Sequence, residues 1–126
     1  VAAYMWDMLG GGAPMEPIHN VMRSRKISYP LPPSAEASRI EDMRKLWAEA
    51  GFRSIETKVI HVERSFDNFD DFWNTTTASP ALTSVLRDLD AKTQGDLKHS
   101  TQELLIAKAN DPVICTGFAN CIKGVV

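Results

Sequence analysis

The segment SRIEDMRKLWAEAGFRSIETKVIHV, residues 38–62, decides the fold because it reads as one helix running directly into one strand. Ser38 and Glu41 have the S-x-x-E spacing of a capping box, in which the hydroxyl takes an orphan amide three residues on and the carboxylate reaches back. Ile40, Met43, Leu46, Trp47 and Ala50 recur at three- and four-residue steps, while Asp42, Lys45 and Glu49 fall on the opposite side. The helix is therefore expected to be apolar on one face. Gly51 can adopt the left-handed conformation that ends a helix, with Phe52 folding back onto Leu46 or Trp47. Ile55–Val62 follows as a strand that alternates at first and turns apolar at Val59, Ile60 and Val62, its more buried end.

Working outward, Val1–Trp6 is apolar at successive positions, which predicts a strand covered on both faces, as in the middle of an α/β sheet. Asp7 and then Gly10, Gly11, Gly12 and Pro14 break that pattern, so a flexible loop leaves the strand's C-terminal end. A short helix is expected from Pro17 to Arg25 on Ile18, Val21 and Met22, and Pro30, Pro32 and Pro33 enforce an extended approach to residue 38. Asp67 or Asn68 can cap a helix whose first turn carries Asp70 and Asp71, with Phe69, Phe72 and Trp73 on one face. Ser79 and Pro80 start another on Leu82, Val85, Leu86 and Leu89, and a further helix covers Ala91 to Ala107, weakened by Gly95. Asn110, Asp111 and Pro112 make a turn before a last strand, Val113–Ile122, whose lack of polar alternation makes it central. Strands separated by a helix should run parallel through a right-handed crossover, and the last strand fits between them, antiparallel.

With 126 residues, 44% of them hydrophobic, 24% charged and a net charge of −2, the chain reads as one globular domain over 1–126. That charge gives no reason to expect nucleic acid or an anionic membrane as partner. No apolar run reaches the roughly 20 residues of a membrane span and no signal peptide is visible, so the expected location is cytoplasmic. Cys115 and Cys121, about 20 Å apart if one strand carries both, should be reduced thiols. His19, His61 and His99 lack metal-ligand spacing, and no nucleophile with a nearby base stands out, so no metal is expected and catalytic residues stay unassigned. The chain opens inside an apolar run without an initiator methionine, which suggests a fragment of something longer.

The runs VAAYMWD at 1–7, RIEDMRKLWAEAGF at 39–52, FDNFDDFW at 66–73 and VICTGFANCIKG at 113–124 together resemble the C-terminal part of small-molecule, class I S-adenosylmethionine-dependent methyltransferases. The resemblance implies an α/β fold: the C-terminal part of a Rossmann-like methyltransferase sheet, two parallel strands with an antiparallel last strand inserted between them, and about four helices. It also implies that Trp6 and Asp7, at a strand's C-terminal end, border the pocket of a small-molecule methyl acceptor, and that Phe69, Phe72 and Trp73 belong to a lid. The family's glycine-rich cofactor motif has no counterpart here. Gly10–Gly12 is too tightly spaced to turn, approach a phosphate and enter a helix. S-adenosylmethionine is thus expected for the full-length protein and no cofactor for this chain, which should be inactive alone.

The alternative from the residues is a non-enzymatic α+β binding or dimerisation module. In either case the first strand should expose an edge and one sheet face should lack cover, predicting a homo-oligomer through that edge or face.

Overall fold

A computed structural model of the protein describes residues 1–107 and 110–126. The elements are β1 (Ala2–Trp6), α1 (Glu16–Ser24), a 3-10 turn (Ala35–Ser38), α2 (Ile40–Glu49), β2 (Arg53–Phe66), α3 (Phe69–Thr77), α4 (Pro80–Arg87), α5 (Ala91–Leu104) and β3 (Val113–Val125).

The stop of α2 follows from its sequence. Gly51 sits at φ 87°, its N–H donates to the Ala48 carbonyl at 3.0 Å, and the Phe52 N–H donates to Trp47 at 3.0 Å. This pair of bonds closes a left-handed helix end, and the Phe52 ring meets Trp47 with centroids 4.5 Å apart. The start of α2 departs from expectation. Its N-cap is Arg39, with no side-chain bond, because Ser38 is engaged elsewhere: its Oγ donates to the Ala35 carbonyl at 2.6 Å and accepts the Met8 N–H at 3.0 Å. The apolar stripe is also narrower than the periodicity implied, since Met43 is buried while Leu46 is exposed.

The expected Rossmann-like sheet is overturned. Among the described residues, three strands form an antiparallel sheet in the order β1-β3-β2, with five α-helices instead of about four. Strand β3 pairs with β1 from Ala2 opposite Lys123 to Trp6 opposite Ala119. Strand β3 is the partner of both strands joined through α2, and no parallel ladder forms among the described residues. Nor is β1 a buried middle strand, because it is an edge and Ala2–Tyr4 are exposed. Strand β2 is the other edge, and its supposedly buried end is open, with Val59, Ile60 and Val62 exposed.

The chain divides into two compact units: unit 1 holds Val1–Ala13, Leu31–Glu63 and Thr116–Val126, and unit 2 holds Pro14–Pro30 and Arg64–Cys115. In unit 1, Trp47 and Phe52 come within 3.3 Å of where a Cβ would stand at Gly124, so the end of α2 lies against β3 on one face of the sheet. In unit 2, α1 packs on α5 and α3 on α4, around a core that includes Ile18, Met22, Phe72, Leu82 and Leu97. Its helix starts use the capping chemistry read from sequence for α3, where Asn68 Oδ1 accepts the Asp71 N–H at 2.9 Å. Asp90 caps α5 in the same way, accepting from Thr93 at 2.7 Å. His19 is buried in this unit and stacks on Tyr29 at 3.8 Å. Burial lowers the His19 pKa below its ordinary value, with Glu16 opposing and Arg23 reinforcing the shift. Arg23 ion-pairs with Glu16 and donates to the Tyr29 hydroxyl at 2.8 Å, bonds that raise its own pKa.

Candidate functional site

Strand β1 delivers Tyr4 and Trp6 to one sheet face, two residues apart as alternation requires. On the same face a side chain at Gly117 would stand 3.5 Å from the Trp6 ring and 3.7 Å from Val62. Trp6 and Val62 thus close over β3 at a glycine. Together with Tyr4, Met8, Pro32 and Ile60 they line a cavity of about 480 Å³ at the C-terminal end of β1 and the C-terminal half of β2. Among the described residues its lining carries no charged side chain. A site of this kind favours an uncharged, largely apolar ligand, since any buried charge would lack a partner.

The loop behind Trp6 is held, not flexible as the glycine run suggested. Asp7 Oδ1 accepts the Gly10 N–H at 2.7 Å, and the Asp7 carbonyl accepts the Gly12 N–H at 2.8 Å. The Phe118 N–H then donates to the Gly12 carbonyl at 3.0 Å. A Cβ at Gly12 would meet the Phe118 carbonyl at 2.4 Å, so only glycine lets the loop lie this close to β3. From the other side Asn120, buried in β3, donates through Nδ2 to Asp7 Oδ2 at 3.0 Å and to the Ser38 carbonyl at 2.8 Å.

Of the residues singled out in the sequence, Trp6 forms part of the cavity wall, while Asp7 serves as the hub of the loop's hydrogen bonds. Phe69, Phe72 and Trp73 do not form a lid. All three are buried in the core of unit 2, with Phe72 edge-on to Phe66 at 5.4 Å and Phe69 tilted against Trp73 at 6.1 Å. Phe69 also reaches a polar hollow of about 360 Å³ lined by Asn68, Asp70, Lys98, His99 and Gln102, where Lys98 is already paired with Asp70 at 2.9 Å. Met8, Pro32, Ile60 and Val62 escaped the sequence reading. Asn120 did too, although a lone amide in an otherwise apolar strand is a buried polar group that must find partners.

Neither cysteine is bonded: Cys115 is buried, which pushes its thiol pKa up, and Cys121 is half-buried. Among the described residues no three His, Cys, Asp or Glu side chains gather as metal ligands. The residues present do not fit S-adenosylmethionine. Gly12 is packed on β3 and Gly10 on the Asp7 side chain, and both carboxylate oxygens of Asp7 are taken by Gly10 and Asn120.

No family model matches the chain, and no curated protein matches it either. No helix is long and apolar enough to cross a membrane among the described residues.

Proposed function

We propose that this chain is the acceptor-side part of an S-adenosylmethionine-dependent methyltransferase acting on an uncharged small molecule. The observation that carries the reading is the apolar cavity at the C-terminal end of β1, walled by Trp6 and Met8 and free of charged lining. Methyl transfer from a sulfonium requires alignment of the acceptor and exclusion of water more than a dedicated base. An apolar, aromatic wall supports the first, and a ligand seated against it sheds water from the surfaces that meet. Since the loop after β1 does not fit the cofactor, the reading assigns S-adenosylmethionine to other residues of the full-length protein, and this chain alone has no activity. Its place is the cytoplasm, where the two free thiols would stay reduced.

The test is calorimetric titration of the chain with 2-naphthol, a neutral aromatic of suitable size. Saturable one-site binding is expected, weakened about tenfold or more in Trp6→Ala, since an aromatic wall of this size contributes well over 1.4 kcal/mol. S-adenosylmethionine should produce no heat of binding. Micromolar affinity for S-adenosylmethionine, or naphthol binding indifferent to Trp6, contradicts the reading.

A second reading, a dimerisation module, is favoured by the edge of β1. Val1 exchanges both backbone bonds with Gly124 of β3 and the Asp7 N–H donates to the Phe118 carbonyl, so the backbone groups of Ala2, Tyr4 and Trp6 point outward. This edge carries no lysine, proline or inward charge to discourage pairing. A second copy docked antiparallel about Tyr4 would set Trp6 against the small Ala2. Sedimentation equilibrium should then show concentration-dependent association that Tyr4→Pro, which removes an outward N–H and the exposed ring without breaking a bond to β3, abolishes. A monomer at all concentrations, or association untouched by Tyr4→Pro, excludes it.

A further inference from the structure

Asn120 is 2% exposed and lies in the central strand, where an amide has no reason to be unless both of its hydrogens are used. They are used on two different segments: one on Asp7 Oδ2 at the end of β1 and one on the Ser38 carbonyl at the end of the 3-10 turn. Ser38 in turn accepts the Met8 N–H at 3.0 Å. Asn120, Ser38, Met8 and Asp7 form a closed circuit that runs from β3 to the turn, from the turn to Met8, and from Met8 back through Asp7 to β3. Trp6 and Met8, the cavity-wall residues on either side of Asp7, are the two whose placement this circuit controls.

We propose that Asn120 is a positioning residue for the cavity, setting Trp6 and Met8 at the distance a ligand needs; this rests on the cavity being the acceptor site. No other side chain of this size bridges two acceptors: leucine has no donor, and aspartate brings a second carboxylate against Asp7 and a lone pair against the Ser38 carbonyl. The amide also fixes which way the loop leaves β1, because Asp7 holds Gly10 with its remaining oxygen. The device therefore works through Met8 and Trp6 and touches no ligand itself.

Three proteins decide the matter: the wild-type chain, Asn120→Asp, and the exchanged pair Asp7→Asn with Asn120→Asp, which restores one amide–carboxylate bond with the direction reversed. Two quantities are read in each, the dissociation constant for 2-naphthol and the exchange rate of the Met8 amide hydrogen. Asn120→Asp, which loses both donated bonds and sets a second carboxylate against Asp7, should weaken naphthol about tenfold or more and speed Met8 exchange by a similar factor. The exchanged pair, which restores the bond between positions 7 and 120 but not the one to the Ser38 carbonyl, should recover part of both, which a residue needed only for packing would not show. Unchanged values in Asn120→Asp, or an exchanged pair no better than it, overturn the proposal. If Asn120→Asp does not fold, Ser38→Ala, which deletes only the bond to Met8 and the turn's own closure, should show the same two changes on a smaller scale, and its failure to do so is equally decisive against it. Wild-type chain that takes no 2-naphthol refutes the acceptor-site reading, and Met8 exchange then judges Asn120 alone.

Discussion

Phe72→Ala is expected to cost about 3–5 kcal/mol, a large share of the roughly 5–15 kcal/mol that holds an ordinary domain. Phe72 is completely buried and sits among Phe66 and Phe69, with Leu82 and Leu97 in the same cluster. A ring with no exposure leaves an enclosed space when truncated, so the transfer loss and the cavity penalty add. Urea unfolding followed by far-ultraviolet circular dichroism measures the change. A loss below about 1 kcal/mol would contradict the placement of Phe72 in the core.

Gly12→Val is the second large effect, and it falls on unit 1. The new Cβ would stand 2.4 Å from the Phe118 carbonyl and 3.1 Å from the Asp7 nitrogen, both backbone atoms that cannot swing aside. The loop must lift from β3, giving up the bonds that Gly12 makes to Asp7 and to Phe118. Overpacking of this kind costs about 1–3 kcal/mol, to which the two lost bonds add about 1 kcal/mol each. Because Met8 belongs to the same loop, naphthol affinity should fall with stability. Thermal melting and calorimetry on one sample of Gly12→Val check both. A variant with wild-type melting and binding would show that the loop is not pressed against β3.

Much of the helical structure is legible in the residues because local chemistry determines it. Gly51 and Phe52 end α2 by a mechanism confined to six residues, and Asn68 caps α3 through a bond that spans three. The misreadings all involve partners distant in sequence. Ser38 has the spacing of a capping box, yet Met8, thirty positions earlier, supplies the amide that its hydroxyl accepts. The apolar run of β1 matches a strand buried on both faces, but pairing on one side only leaves it at an edge. Sequence periodicity records which residues share a face; it does not record what covers that face. The same ambiguity explains Phe69, Phe72 and Trp73, whose stripe suits a lid or a core equally well until α1, α4 and α5 are seen around it.

At the site, Trp6 could be singled out because it ends an apolar strand before a glycine-rich loop. Its neighbours in the wall could not. Val62 reaches it only across Gly117, and Pro32 belongs to an extended segment with no periodicity to read. Asp7 carried a signal that was real but of another kind: an acidic residue after a strand can hold a ligand or hold its own loop, and here Gly10 and Asn120 engage both of its oxygens.

The central claim is that an uncharged aromatic acceptor lies between Trp6, Met8 and Val62. Methyl-labelled protein bound to 2-naphthol tests it by intermolecular nuclear Overhauser effects. Contacts from the naphthol ring to the Met8 and Val62 methyls, without contacts to Val85 or Leu97 of unit 2, are the expected result. Contacts confined to unit 2 methyls, or none to Met8 at saturating naphthol, would contradict it.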